Sequence, residues 1–244
     1  MKHRIRYSFL LLLSCFTLIT YAQEKQTKNY NLSLGADLAS KYLWRGIALG
    51  SGPAIQPWGE FSYKGLTLGT WGNYEFAGAF KEVDIYGKYT LSNFSLLFVD
   101  LFFPGYEGLN QNYFDLNNHT TGHCSELGLS FNGSEKIPFS VYAGMILYGS
   151  SIDSDPDNSA SLNHSLYFEV KYLGQLNDYS YNIFAGFTPM NSVLYQTKGF
   201  SVFNIGLAAQ KTVIVTDGFS IPMKLTLATN PVLEKIYLTF IISL

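Results

Sequence analysis

The sequence predicts an all-β fold, an antiparallel transmembrane β-barrel of about 12 strands with short periplasmic turns and longer extracellular loops. Three observations predict it. Apolar and polar residues alternate with a period of two in segment after segment from Tyr30 onward. The connections between segments alternate short and long. Aromatic residues of outward parity recur beside the short turns, where a membrane interface would lie.

Composition agrees. Charged residues are only 14% of the chain, against about 25% in a typical soluble domain, so a large apolar surface must be placed somewhere. Residues 1–22 read as a secretory signal peptide: Lys2, Arg4 and Arg6, an apolar run from Phe9 to Ile19, then Thr20-Tyr21-Ala22. Leu13-Ser14-Cys15 is a weak lipoprotein-like box, but cleavage there would leave a hydrophobic tail. Removing Lys2, Arg4 and Arg6 takes the 16 basic residues to 13 against 18 acidic ones, a formal charge of −5. No basic tract survives, which argues against nucleic acid as a partner. Cys124 is then the only cysteine, so no intrachain disulfide can form. No run of about 18 apolar residues follows the signal region, so a spanning structure would have to be made of strands.

Residues 23–29 form a polar, disordered tail, and 30–244 form the barrel. Strand one turns Leu32, Leu34, Ala36 and Leu38 outward. Strand two, near Pro53 to Tyr63, sets Trp58, Glu60 and Ser62 against Gly59, Phe61 and Tyr63. Strand three runs from Leu66 to Phe76, and strand four alternates Glu82, Asp84, Tyr86 and Lys88 with Val83, Ile85, Gly87 and Tyr89. Strand five, Phe94 to Phe102, is apolar on both parities; Asp100 shares the parity of Phe94, Leu96 and Phe98, which a bulge would reconcile. Strands six to nine turn outward Leu127 and Leu129, then Val141 to Leu147, then Leu166 to Tyr172, then Tyr181 to Ala185. Strand ten turns out Phe203, Ile205 and Leu207, strand eleven Ile221 to Leu227, and strand twelve Ile236 to Leu244. The girdle expected at the short turns is Tyr63, Tyr89, Phe131, Phe139, Tyr172 and Tyr179. A soluble β-sandwich is the alternative, but it has no reason to put aromatics on so many exposed strand ends.

Inward parity collects Asp37, Glu60, Glu75, Glu82, Asp84, Glu126 and Glu169 with Lys41, Arg45, Lys88, Lys171 and Lys224. These are the candidate lumen residues, either a charge-selecting pore lining or a paired network filling a narrow barrel. Glu82 and Asp84 with Lys88 and Arg45 are the candidate constriction or structural cluster. Ser40 to Gln56 reads as the first outer hairpin: Lys41 and Arg45 at the pore mouth, Trp44 outward at the upper interface, Gly46, Gly50 and Gly52 as turn glycines. Asp153 to Asn158 only loosely matches a calcium loop, with His164 where Glu is needed. His164-Ser165 supplies the residue types of a lipid hydrolase, but neighbours on a strand point to opposite faces. His119 and His123 have no further metal ligand close in sequence. No catalytic residue, cofactor or metal site is predicted.

Ser40-Lys-Tyr42-Leu-Trp-Arg45-Gly46, Pro53-Ala54-Ile-Gln56, Gly69-Thr-Trp71, and Glu82-Val-Asp84-Ile-Tyr86-Gly87 resemble the N-terminal third of the TorF-type porins, a family of bacterial outer-membrane barrel proteins. The resemblance covers Leu38 to Tyr89. It implies a porin-like outer-membrane protein with no catalytic residues to transfer and no named solute. The chain departs from many such barrels in finishing on Leu244 rather than an aromatic residue.

The expected function is a passive or weakly selective channel for small solutes in the bacterial outer membrane, reached by export. Its partners would be outer-membrane lipid, the barrel-insertion machinery and the solutes themselves. The alternative is a closed barrel whose loops Pro104 to Gly122 and Gly149 to Leu162 bind a ligand or surface partner.

Overall fold

The computed structural model describes residues 30–105, 109–117, 120–149, 154–155, 158–162 and 164–244. The stretch predicted as signal peptide and polar tail lies outside the described residues, as do His119 and most of the acidic run at Asp153. Twelve antiparallel strands close into a barrel: β1 (Tyr30–Ala39), β2 (Ala54–Tyr63), β3 (Leu66–Glu75), β4 (Lys81–Leu91), β5 (Phe94–Phe102), β6 (His123–Phe131), β7 (Phe139–Gly149), β8 (Leu166–Leu176), β9 (Tyr179–Thr188), β10 (Ser201–Thr216), β11 (Phe219–Asn230) and β12 (Lys235–Ser243). Each strand pairs with its sequence neighbours, and β1 meets β12 in the register Asp37↔Ser243, Leu38↔Ile242 and Ala39↔Ile241. Closure leaves no unpaired sheet edge, the condition for strands to cross lipid.

Turn chemistry sets the lower end. Lys64 and Gly65 both take positive φ, 46° and 85°, the twisted two-residue turn that matches strand twist. Ser92 and Asn177 open the equivalent turns after β4 and β8, also at positive φ. Alternation sets the wall. Leu34, Leu68, Ile85, Leu96, Leu129, Ile183, Leu207 and Leu238 are exposed on the outside, while Trp58, Glu60, Glu82, Asp84 and Glu126 face inward. That is the reverse of a soluble protein and the arrangement of a membrane barrel. Tyr63, Tyr89, Phe139, Tyr172 and Tyr179 are exposed beside the short turns. Phe94 packs on Phe131 and Phe139 on Tyr172 across strands, with ring centroids 5.3 and 5.4 Å apart.

Three local expectations are corrected. Strand β5 needs no bulge: its register runs unbroken on both sides, so Asp100 stays outward. Strand β7 bulges at Leu147, opposite the Ser125/Glu126 step of β6, which places Tyr148 rather than Leu147 opposite Ser125 on the outside. Strand β10 bulges opposite Gly186/Phe187, and this turns Phe203 into the lumen, where it is fully buried.

The largest correction concerns Ser40 to Gln56. Strand β1 ends at Ala39, and the chain then leaves the wall. Tyr42–Trp44 and Ile47–Leu49 form a separate two-stranded ribbon, paired Tyr42↔Leu49 and Trp44↔Ile47. The ribbon folds into the barrel instead of standing above it. Trp44 lies 5.8 Å from the Tyr195 ring, not against lipid, because the lumen side offers an aromatic cluster that covers it.

Candidate functional site

The site is the lumen as divided by this ribbon. Its root is held on both sides. Ser40 N–H donates to the Phe240 carbonyl at 2.8 Å, and Phe240 N–H donates to Ser40 Oγ at 2.9 Å. On the return, Ser51 and Gly52 N–H groups donate to Glu75 Oε1, the latter at 2.6 Å. Glu75 is therefore a rim anchor for the hairpin rather than a pore-lining charge.

Arg45 at the tip carries most of the polar contacts. Its Nη1 and Nη2 donate to Glu126 Oε2 and Oε1, each at 2.6 Å, and Nη1 also donates to Tyr195 Oη at 2.6 Å. A planar fork meeting both carboxylate oxygens is the strongest geometry available to an ion pair. Tyr142 Oη donates to the same Glu126 carboxylate. The guanidinium lies 4.3 Å from the Tyr167 ring centroid and 4.6 Å from that of Trp44, both within cation–π range. Side-chain exposure is 11% for Arg45 and 3% for Glu126, so the pair is desolvated and each partner depends on the other. Gly46 makes the close approach possible. Its φ is +73°, and a Cβ there would lie 2.5 Å from the Phe203 carbonyl oxygen. Its own carbonyl accepts from Asn230 Nδ2 at 3.1 Å.

Around the ribbon two apolar clusters pack in the outer half of the lumen. Tyr42 and Leu49 pack against Phe80, Val99, Leu101, Phe103, Leu109, Cys124 and Ile146. Ile47 packs with Tyr167, Tyr195 and Phe203, flanked by Trp44, Leu194 and Leu233. This accounts for the double apolar parity of β5: Phe94, Leu96 and Phe98 face out, while Val99 and Leu101 face the packed hairpin.

The predicted lumen residues thus fall into separate groups. Arg45 joins Glu126 and not Glu82 or Asp84, which correct the expected cluster. Glu82 accepts from Tyr42 Oη at 3.3 Å, and Glu82 Oε2 and Asp84 Oδ1 have no hydrogen-bond partner among the described residues. Lys88 makes no ion pair with either among the described residues. Glu60 accepts from Tyr86 Oη at 2.7 Å. Lower in the lumen, Lys171 Nζ is 2.7 Å from Glu169 Oε1, while Glu169 Oε2 accepts from Tyr167 Oη at 2.6 Å and Asn204 Nδ2 at 2.9 Å. Lys41 and Lys224 line a cavity of about 240 Å³ directly below the hairpin. Asp37 lies on β1 within electrostatic reach of Lys224. Sequence reasoning missed Tyr142, Tyr167, Tyr195 and Asn230, and the inward parity of Tyr142 and Tyr167 was the available signal.

A second polar group sits on the outer wall near the long-loop end. His123 Nδ1 is 2.7 Å from Asp100 Oδ2, and Nε2 is 2.7 Å from the Tyr113 carbonyl. A carbonyl can only accept, so Nε2–H is the donor to Tyr113. Ser125 Oγ donates to Asp100 Oδ1 at 3.1 Å. The serine bonds the carboxylate, whereas a nucleophile would bond the imidazole. Tyr148 Oη donates to the Leu116 carbonyl. The group therefore fastens the loop at 109–117 over an outward carboxylate. Within that loop, hydrogen bonds from Thr120 Oγ1 and Asn117 N–H hold the Asp115 carboxyl below its usual range. His164 Nδ1 bonds the Ile146 carbonyl at 2.8 Å, and the Ser165 hydroxyl bonds that of Ser192 at 2.5 Å. His123→Ala is expected to loosen the loop by about 1–3 kcal/mol, read as faster chymotrypsin cleavage at Tyr113 and Phe114 with the barrel intact. Unchanged cleavage would mean that Tyr148 suffices to hold it.

No family model matches the chain, and no curated protein matches it either.

Proposed function

We propose that the protein is a porin-like outer-membrane barrel for small solutes whose path is interrupted by its own inward hairpin, so that passage requires the hairpin to swing out. The observation that carries this is the Arg45–Glu126 pair. A purely structural filler could be apolar throughout, and a buried pair adds little stability over well-packed hydrophobic residues. What such a pair supplies is one specific docked position whose loss is abrupt. The apolar outer wall and aromatic girdle support placement in a membrane, and the resemblance of Leu38 to Tyr89 to the TorF-type porins supports the outer membrane and a transport role. The hairpin lies inside that resembling stretch.

Planar-bilayer recording tests the reading. The intact protein is expected to give rare, brief conductance steps. Replacing residues 41–52 by a Gly-Ser-Gly turn is expected to give sustained ones. A shortened protein that keeps the heat-modifiable gel mobility of a folded barrel yet conducts nothing would overturn the channel reading. A sustained conductance equal in both would overturn the hairpin's part in it.

A further inference from the structure

Below the hairpin the lumen is open and basic. The cavity of about 240 Å³ has Tyr42, Leu43, Arg45 and Gly46 as its ceiling, and Lys41, Lys171 and Lys224 among its walls. A second cavity of about 520 Å³ shares Asn182, Ala208 and Lys224 with it and reaches Ser134, Glu135 and Gln175 at the short-turn end. Together they make a blind vestibule: closed above by the ribbon and entered from the end that carries the short turns.

The charges in it do not cancel. Four cationic side chains line the upper cavity against the single carboxylate of Glu169. Arg45 is bound to Glu126 and Lys171 to Glu169. Lys41 and Lys224 make no ion pair among the described residues. Lys224 feels Lys171 as a like charge and Asp37 and Glu169 as opposite ones, none of them in contact with it. Two ammonium groups with unmet hydrogen-bonding capacity therefore face a water-accessible space, with Thr226, Thr239 and Asn182 beside them as neutral polar partners. A low-dielectric wall around such a space concentrates anions.

We propose that this vestibule is a binding site for a small oxyanion, a phosphate or carboxylate on a short polar body, held by Lys41 and Lys224 and entering from the short-turn side. Lys41 sits at the root of the hairpin, one residue past the Ser40 anchor, so the bound anion touches the moving element and the fixed wall at once. The site rests on the porin-like reading for its role as a solute site, but binding itself requires no passage. At about 240 Å³ the upper cavity is smaller than the usual ligand pocket of about 300–1,000 Å³, a size that suits a small anion.

Saturation-transfer NMR on the full mature protein in amphipol, with methyl phosphate, acetate and methanol as probes, tests it. The expected result is a saturable signal from methyl phosphate, from acetate, or from both, and none from methanol; which anion responds identifies the oxyanion. Lys224→Met keeps the side-chain length and is expected to weaken binding about tenfold or more, and Lys41→Gln several-fold. Lys211→Gln is expected to change nothing, since Lys211 is paired with Asp178 on the outer wall. No signal from either anion, or undiminished binding in the Lys41→Gln/Lys224→Met double variant, would overturn the site. Binding without conductance would leave the site and remove the channel; conductance without binding would do the reverse.

Discussion

Arg45→Ala is expected to raise the fraction of time the lumen is open by at least about a hundredfold. The substitution leaves Glu126 buried with no cation beside it, and breaking a buried pair in this way costs about 3–5 kcal/mol. Every 1.4 kcal/mol is about tenfold, so even the lower figure exceeds two decades. The barrel wall does not depend on Arg45, because all its ladder hydrogen bonds belong to other residues. The cost therefore falls on the docked hairpin. Cys124 supplies a readout that needs no conductance. It is 1% exposed and lies in the apolar cluster that Tyr42 and Leu49 cover. A bulky membrane-impermeant maleimide should label it slowly in the intact protein and far faster in Arg45→Ala. Arg45→Lys should fall between, since a single ammonium cannot reproduce the two-pronged contact. Equal labelling in all three would show that the ion pair does not hold the hairpin.

Gly46→Val is expected to release the hairpin with every charge still in place. A β-branched residue at φ +73° is a conformational outlier. Its Cβ would also lie 2.5 Å from the Phe203 carbonyl and 3.2 Å from the Asn204 Cα. Neither neighbour can yield easily, because both belong to the β10 wall. The tip must back away, and the Arg45–Glu126 and Gly46–Asn230 contacts lengthen together. Cys124 labelling should accelerate as in Arg45→Ala, and conductance steps should lengthen. Gly46→Ala should give a smaller effect in the same direction. A Gly46→Val protein that labels as slowly as the intact one would mean that the tip tolerates a side chain.

Much of the wall could be read from the sequence, and the hairpin could not. Lipid outside and a filled lumen inside impose opposite demands on successive residues, so Leu32, Leu34 and Leu38 or Leu225 and Leu227 reveal their face at once. Lys41, Trp44 and Arg45 continue that alternation without a break, yet the chain has already left the sheet. Gly46 and Gly50 serve a ribbon that folds inward as well as one that folds outward. Leu43, Trp44, Ile47 and Leu49 are too apolar for a solvated external loop, and this is the one sequence signal of the inward fold. Phe203 failed for a different reason: a bulge shifts parity locally, and nothing in Ser201-Val-Phe-Asn announces one. The placing of Glu126 opposite Arg45 is set by three-dimensional closure, across 81 positions of sequence.

The hairpin is spliced into the wall at both ends, between Ala39 and Ala54. In the proposed open state it would leave its seat but not the neighbourhood. Return is an intramolecular event, with an effective concentration that a short tether sets at about the millimolar level. The seat is thus re-occupied at a rate that ignores how much protein is present, and a separate peptide copying Ser40 to Gln56 would have to match that local excess to compete. A barrier of the proposed kind would spend its open intervals as short excursions, each ended at a rate set by the tether more than by the strength of the docked contacts.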